Sequence, residues 1–386
     1  MFKKLKQFIA RHLTSDRHLG KPDFVFLITL GLIVIFGLVM LFSASTIVAY
    51  IAYHDAYYFV GRQLLWLIIG GIAFYFLYNM DYHRWRKYAF TMLCISIGLL
   101  SLILVHPITN VVNGHRSWIN LGVFSFQPSE FVKVTLVIYL AALLESSGKA
   151  KTLDAARAKK FFIVLGLIAA LMLLQPDIGT LAIIMAACLI LYFVNGGNMK
   201  TILLFAAMAL ALLGGYIGYH SLRNNGQSYM AARFTCLYDP SSSASDKCYQ
   251  INQSLLAVGS GGWFGRGIGN SRQKFLFLPE VQNDFIFAII AEEVGWIFCL
   301  VLLGAFVLLI YRGFLIAKRA PDSFGRNLAI GLISWIGVQV IINIGGIINL
   351  FPMTGVPLPL VSAGGTALLA ALSSAGIITN ISRQGK

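Results

Sequence analysis

Several ionisable side chains of this sequence stand within or beside long apolar segments. Such groups are costly in lipid, and each is therefore a candidate for function. The carboxylates among them offer proton transfer, and the cations offer stabilisation of developing negative charge. The set is Arg62, Arg116, Glu130, Lys133, Glu145, Asp177, Lys274, Glu280, Asp284, Glu292 and Glu293.

Asp284 has the position best suited to a general base. It follows the polar stretch 278–283 and directly precedes the apolar run 285–290. A carboxylate at such a wet-to-dry boundary keeps a raised pKa and still meets a substrate from outside. The alternative interpretation is that Asp284 caps the helix that follows, a position that Asp fills readily.

Other acidic residues have simpler structural interpretations. Glu130 and Lys133 are three residues apart, so on a helix they form a neutralising pair that orients two helices, or they help to shape a cavity. Asp177 follows a proline between two apolar segments and is expected to cap the next helix. Glu292 and Glu293 are expected to bond to a neighbouring helix or to a partner protein.

The composition indicates that the segments carrying these ionisable residues lie in a lipid bilayer. Hydrophobic residues make up 58% of the 386-residue chain and charged residues 12%, which leaves too few polar groups to cover a soluble domain. The apolar blocks of roughly 18–25 residues are long enough to cross the hydrocarbon core as helices. We therefore predict an all-α integral membrane protein with spans at 24–45, 58–79, 88–106, 129–145, 161–175, 178–195, 201–220, 285–311, 327–350 and 365–381.

Basic residues between the apolar blocks set the predicted orientation. They gather on alternating segments, whereas the short segments on the other side hold only Arg116, and the positive-inside rule places the basic side in the cytoplasm. Both termini are then cytoplasmic, and residues 1–22 form a basic amphipathic segment on the inner leaflet. The net charge of +15 thus reflects contact with membrane lipid, and nucleic acid is not an expected partner.

A long loop at 220–284, between the seventh and eighth spans, lies on the predicted outer side. Loops of this length are usually functional or disordered. It contains a helical stretch at 249–258 that leads into a glycine-rich run at 259–269. Cys236 and Cys248 in this loop are either free or, in an oxidising compartment, joined by a disulfide.

A second outer segment, 351–366, is predicted to be irregular. It carries three prolines and three glycines between two spans, so a helix cannot run through it. Non-helical backbone at membrane depth is tolerated where protein or a water-filled cavity covers it. We therefore expect this segment to line a cavity.

Several strings of the sequence resemble one family, the SEDS proteins (FtsW, RodA and SpoVE), which are polytopic bacterial cell-wall proteins. They include Asp284-Phe-Ile-Phe and Gln175-Pro-Asp, and they follow the family's order over nearly the whole chain from about residue 24. The strings span residues 37–45, 116–122, 126–133, 175–180, 249–269, 273–274, 278–280, 284–295 and 354–365.

The resemblance implies a single domain over 23–386 with ten spans and a large extracytoplasmic loop, in the bacterial cytoplasmic membrane. The implied activity is peptidoglycan glycosyl transfer, in which lipid II is polymerised into glycan strands outside the membrane. The Asp of the Asp-Phe-Ile-Phe motif, here Asp284, is the implied catalytic residue. Asn283 stands in place of a usual Thr and Ala363 in place of a usual Tyr, so two hydroxyl groups of the family's pocket are missing.

The leaving pyrophosphate of that reaction gathers negative charge, which a preorganised cation stabilises. A divalent ion, Mg²⁺ or Mn²⁺, held by acidic groups is an alternative source of that charge, although the sequence assigns no metal ligands. The candidate substrate-binding residues are Arg62, Arg116, Glu130, Lys133, Arg233, Gln273, Lys274, Glu280 and Ser362.

Two questions stay open: which branch of the family the chain resembles most, and whether it is an enzyme or a transporter. The strings at 37–45, 253–262 and 273–274 are more similar to FtsW and SpoVE than to RodA, which favours a septal enzyme of cell division over an elongation polymerase. The family implies class B penicillin-binding proteins, which are transpeptidases, and divisome proteins as partners. Charges at mid-depth and broken helices also suit a flippase for lipid II, although the sequence shows no inverted repeat.

Overall fold

The structure is a computed structural model, and it describes residues 20–104, 109–112, 115–120, 125–145, 153–223, 233, 236–238 and 248–385. Within these residues the predicted helical membrane architecture is confirmed, with one small β-sheet in addition. The predicted amphipathic segment 1–22 lies almost entirely outside them.

Each predicted span coincides with a helix. The helices are α1 (Phe24–Tyr53), α2 (Tyr58–Asn79), α3 (His83–Ile103), α4 (Pro128–Leu143), α5 (Ala155–Leu174), α6 (Ile178–Val194), α7 (Met199–Arg223), the shorter α8 (Tyr249–Ser260), α9 (Ile286–Lys318), α10 (Ser323–Ile347) and α11 (Gly365–Gln384). Among the described helices, 6 are long and apolar enough to cross a membrane by length and composition, namely α1, α2, α3, α9, α10 and α11. The count of ten crossings and their orientation therefore stay predictions.

Aspartates set the start of several helices. Asp23, Asp154, Asp177 and Asp322 precede α1, α5, α6 and α10, and each accepts a hydrogen bond from an amide in the first turn. An Asp at this position satisfies an amide that has no partner within the helix, and its charge opposes the positive helix end. The cap predicted for Asp177 is confirmed, because its Oδ1 lies 3.1 Å from the amide nitrogen of Thr180.

Helix α10 is the central element of the bundle. It packs against α4, α6, α9 and α11, and 83% of its most apolar stretch is buried. Around it, α2 packs along α11, and α1 lies against α9. Because α10 is enclosed by other helices, the buried amides of Gln339 and Asn343 on it find their hydrogen-bond partners within the protein.

A small antiparallel sheet, which the sequence analysis did not predict, lies between α3 and α4. Its strands, in order of pairing, are β1 (Thr109–Val112), β2 (His115–Asn120) and β3 (Ser125–Phe126). In β2, Ile119 pairs with Thr109 on one side and with Phe126 on the other. Strands this short give a weak alternation signal beside long apolar blocks. Arg116 lies on β2, and its side chain is outside the described part of the chain.

The loop at 220–284, predicted to lie on the outer side and referred to as the outer loop, contains a covalent link. Cys236 and Cys248 form a disulfide with their Cα atoms 5.5 Å apart, which decides between the two states left open by the sequence. Helix α8 begins directly after Cys248 and confirms the predicted helical stretch. Asn349 Nδ2, just beyond α10, donates to the main-chain oxygens of Cys236 at 3.4 Å and Leu237 at 3.3 Å. The bridge is thus tied to the end of the central helix.

Candidate active site

Asp284 lies on the loop immediately before α9. The N-cap position of α9 is Phe285, and no side chain caps this helix. The capping interpretation of Asp284 therefore lacks support, and its carboxylate is not committed to the helix. Its main chain is fixed instead, because Asn343 Nδ2 donates to the main-chain oxygen of Asp284 at 2.9 Å.

The half-buried Asp284 carboxylate shares a small space with other charged groups. A Cβ atom placed on Gly355 would lie 3.4 Å from Asp284 Oδ2 and 3.6 Å from Arg233 Nη2. Burial, and to a lesser degree the nearby Glu280 carboxylate, raise the pKa of Asp284 to about 7, while Arg233 opposes this shift. The carboxyl group thus titrates near neutral pH, where a general base is most effective.

The first turns of α2 carry two further polar side chains, Tyr58 and Arg62. Arg62 Nη1 donates to the hydroxyl of Tyr58 at 3.0 Å, and the Tyr58 ring stacks on Tyr53 with centroids 3.7 Å apart. Tyr53 lies within electrostatic range of both Arg62 and Glu280, and Glu280 lies within electrostatic range of Asp284. The structure therefore groups the predicted residues Arg62 and Glu280 on the side of Asp284.

Two buried amides of α10 hold the irregular segment that follows this helix. Asn343 Nδ2 donates to the main-chain oxygen of Val356 at 2.7 Å, in addition to its bond with Asp284. Gln339, one turn away, donates from Nε2 to the main-chain oxygen of Pro357 at 2.8 Å. Neither amide was among the residues predicted from the sequence. Two amide side chains four residues apart in an apolar span are the signal that would have found them.

Glu130 and Lys133 form the predicted buried pair. Lys133 Nζ lies 2.8 Å from Glu130 Oε1, and the two side chains are 0% and 2% exposed for Lys133 and Glu130 respectively. The same Nζ donates to Gln339 Oε1 at 2.7 Å and lies 4.6 Å from the centroid of the Trp335 ring. Lys133 thus fixes the orientation of the Gln339 side-chain amide. A direct contact of Glu130 or Lys133 with substrate stays a prediction.

A second buried ionic network ties the outer loop to α9 and α1. Lys274 Nζ lies 2.9 Å from Glu293 Oε1, and Ser43 Oγ on α1 donates to Glu293 Oε2 at 2.5 Å. The amide of Gln273 donates to Glu292 Oε2 at 3.3 Å. Glu292 and Glu293 therefore bond to the protein's own loop and to a neighbouring helix. The Lys274 charge is compensated inside the protein, so the substrate contacts of Lys274 and Gln273 stay predictions.

Ser362 belongs to a turn that closes the irregular segment. Its Oγ accepts a hydrogen bond from the amide of Leu358 at 2.8 Å. Gln63 Nε2 on α2 donates to the main-chain oxygen of Ser362 at 3.0 Å, and the amide of Ala363 donates to the main-chain oxygen of Gln282 at 2.8 Å. These bonds fix the segment between α2 and the loop before α9.

An apolar cavity of about 290 Å³ lies beside Glu130, between α2, α3, α4 and α11. It runs from Phe126 and Thr366, at the end of the bundle that holds Asp284, towards Leu77 and Trp85 at the opposite ends of α2 and α3. Glu130 Oε2 and Thr366 Oγ1 have no hydrogen-bond partner among the described residues. Such a lining suits an apolar chain with a polar group at its outer end.

Metal ligands do not cluster among the residues that the structure describes. No three His, Cys, Asp or Glu side chains there come close enough together to hold an ion. Glu280 and Asp284 are close enough for their charges to interact, and a divalent ion held by acidic groups stays a prediction.

A bundle of apolar helices, with the Asp284 carboxylate and Arg233 at one end and an apolar cavity that begins at the same end, defines a polytopic membrane protein. The sequence model of the FtsW, RodA and SpoVE family, described as "Cell cycle protein", matches residues 23–386. The chain belongs to this family.

Relatives cover almost all of the chain. It is 40% identical over 368 residues to stage V sporulation protein E of Bacillus subtilis, covering 95% of this chain and 98% of that protein. It is 35% identical over 370 residues to a protein of Trichlorobacter lovleyi named probable peptidoglycan glycosyltransferase FtsW, covering 96% and 95% respectively.

Solved structures confirm the fold. A structure described as the structural coordination of polymerization and crosslinking by a peptidoglycan synthase complex matches with a TM-score of 0.75 at 26% identity, over 94% of this chain and 98% of that chain. The rod shape determining protein RodA of Thermus thermophilus matches with a TM-score of 0.69 at 28% identity, over 94% and 97%. The predicted family and its membrane fold are thus confirmed.

Proposed function

We propose that this protein is a peptidoglycan glycosyltransferase that polymerises lipid II into glycan strands during septal cell-wall synthesis. The observation that carries the proposal is the Asp284 carboxylate, held at the rim of the bundle beside Arg233 with its pKa raised to about 7. Relatives named as peptidoglycan glycosyltransferases support it.

In the proposed reaction, a sugar hydroxyl of lipid II attacks the anomeric carbon of a strand linked to undecaprenyl pyrophosphate. Asp284 accepts the hydroxyl proton as the new carbon–oxygen bond forms. The bond between the anomeric carbon and the pyrophosphate oxygen breaks, and the pyrophosphate leaves with the electron pair. Arg233 and Arg62 stabilise that charge, and a single displacement inverts the anomeric centre.

The apolar cavity beside Glu130 supports a lipid-linked substrate. Sugars and pyrophosphate need water, whereas a polyprenyl tail needs an apolar environment. The cavity runs away from the end of the bundle that holds Asp284. A polyprenyl tail can therefore lie in the cavity while its head group stays beside Asp284. This arrangement favours the rim carboxylate over any acid buried deeper in a span.

Polymerisation of lipid II by the purified protein, alone and with its cognate class B penicillin-binding protein, tests the proposal. We expect glycan chains from the wild-type protein in at least one of the two preparations. A protein that makes no chains in either preparation would refute the proposed function. The partner is supported by the similarity to a complex that couples polymerization with crosslinking.

Cellular placement follows from the same proposal. We propose a multi-pass protein of the bacterial cytoplasmic membrane with both termini in the cytoplasm, on the strength of the basic segments described above. The similarity to FtsW proteins favours the division septum and divisome partners.

The rate of polymerisation is expected to depend on the protonation of Asp284. A base must be ionised to accept a proton, so kcat/KM falls about tenfold per pH unit below a midpoint of about 7 and levels off above it. Initial rates measured between about pH 5 and pH 9 give this profile. A rate that stays constant down to the acid end would show that no group with this pKa acts as the base.

Asn343→Ala is expected to lower kcat strongly, because Asp284 and Val356 lose the donor that positions their main chains. An unsatisfied buried polar group costs about 1–3 kcal/mol, so thermal stability falls as well. Ser254→Ala is a matched control, since this equally buried donor serves Ile347 on the same helix. A loss of kcat in Asn343→Ala no larger than in Ser254→Ala, at equal loss of stability, would refute a positioning role.

A further inference from the structure

Helix α9 is interrupted at Gly295, whose φ of 77° and ψ of 178° are not helical. A break of this kind leaves carbonyls before it and amides after it without helical partners. The glycine-rich run supplies the first set of partners. The amides of Arg266 and Gly267 donate to the main-chain oxygens of Glu292 and Glu293 at 3.0 and 2.9 Å.

The same run also accepts from the amides after the break. Trp296 donates to the main-chain oxygen of Gly262 at 3.0 Å, and Ile297 donates to that of Trp263 at 3.2 Å. A Cβ atom on Gly265, whose φ is +76°, would lie only 2.2 Å from the main-chain oxygen of Glu293, so no larger residue fits there. The glycine-rich run therefore supplies the hydrogen-bond partners that the broken helix lacks, and we refer to residues 259–269 as the plug.

The plug carries large apolar side chains on its outside. Trp263 is 70% exposed, Phe264 is 78% exposed and Ile268 is 60% exposed. We refer to these three residues as the loop patch. An exposed group of large apolar side chains on a loop indicates a surface that a membrane or another molecule covers.

The loop patch adjoins the lipid-facing surface of α9. Residues 286–295 of this helix are buried, and exposure begins at Trp296 and continues through Leu300 and Val301. The stretch 296–318 rises about 34 Å, which is enough to cross the hydrocarbon core. The outer boundary of the hydrocarbon therefore falls close to Trp296, beside the main chain of Trp263.

We infer that the loop patch inserts into the outer leaflet of the lipid bilayer and holds the loop that leads to Asp284 at the lipid surface. The apolar surface of the patch continues that of α9, and Trp and Phe side chains are favoured at this depth. The exposed Arg272 is suited to lipid phosphates. The inference takes its orientation from the proposed function, since α9 must begin on the outer side.

Lipid quenching of tryptophan fluorescence tests this placement in bilayer nanodiscs. The protein has 6 tryptophans, and the signal of Trp263 is the difference between wild type and Trp263→Phe. We expect lipids brominated near the head group to quench this signal strongly and aqueous iodide to quench it weakly. The enclosed Trp335, obtained from Trp335→Phe in the same way, is the control that neither quencher reaches.

Two results would overturn the inference. Quenching of Trp263 by iodide without quenching by brominated lipid places the patch in water. Protection from both quenchers shows that a partner protein or a second copy covers it. Neither result depends on glycosyl transfer, so a failed anchor and a failed enzyme are told apart by the lipid II assay.

A kinetic measurement tests the consequence for substrate capture. The double variant Trp263→Ser with Phe264→Ser is expected to raise KM for lipid II several-fold in bilayers, with kcat retained and KM in detergent micelles unchanged. An equal rise of KM in bilayers and in micelles would contradict the anchor, because the effect would then arise within the protein.

Discussion

Asp284→Asn is expected to abolish the polymerisation of lipid II while the protein remains folded. General base catalysis contributes about 10²- to 10⁴-fold to rates of this kind, and an amide of nearly the same shape cannot accept the proton. The fold is retained because Asn343 bonds to the main-chain oxygen of Asp284, and α9 needs no side-chain cap from it. Glycan chains separated on gels and thermal unfolding of the same preparation measure the two effects.

Glu280→Gln is the matched control for this substitution. Glu280 lies close to Asp284, and its negative charge contributes to the raised pKa of Asp284. Removal of that charge lowers the pKa of Asp284, so activity survives and the midpoint of the pH–rate profile moves to a lower pH. An unchanged midpoint, or full activity in Asp284→Asn, would contradict the assignment of the base.

Lys133→Met is expected to destabilise the protein more than any other single change considered above. The substitution leaves the fully enclosed Glu130 carboxylate without its cation and takes the donor from Gln339 Oε1. Removing one partner of a buried ion pair costs about 3–5 kcal/mol. A large fall in the midpoint of thermal unfolding, with loss of polymerisation, is the expected result.

The double variant Lys133→Met with Glu130→Gln separates charge from shape. It removes both charges while keeping similar side-chain volumes, and replacement of a buried ion pair by uncharged groups is often close to neutral. We expect it to recover most of the unfolding midpoint lost in Lys133→Met. If the double variant is as unstable as the single one, an uncompensated charge is not the cause.

The position of Asp284 could be predicted because a polar-to-apolar boundary is visible in the sequence itself. Local spacing likewise predicted the Glu130–Lys133 pair and the Asp177 cap, since their partners lie within a helical turn. Contacts between distant segments could not be predicted in this way. Lys274 looks like a free cation in the sequence, yet the fold pairs it with Glu293.

Neutral side chains within the spans could not be predicted individually to belong to the site. Gln339 and Asn343 carry no charge, so burying either of them alone in an apolar helix gives no functional signal, although they connect α10 to the site. The break at Gly295 was hidden because its partners come from residues 262–267, far away in sequence. Of the departures from the family pattern, Asn283 has a visible role, because its Nδ2 donates to Glu280 Oε2 at 2.6 Å.

An enzyme and a flippase predict opposite results in the same preparation. Wild-type protein in proteoliposomes, given fluorescent lipid II, allows glycan chain formation and lipid II translocation to be measured side by side. The proposed function predicts glycan chains that depend on Asp284, with translocation no faster than in protein-free vesicles. Rapid translocation without any glycan chains would contradict it.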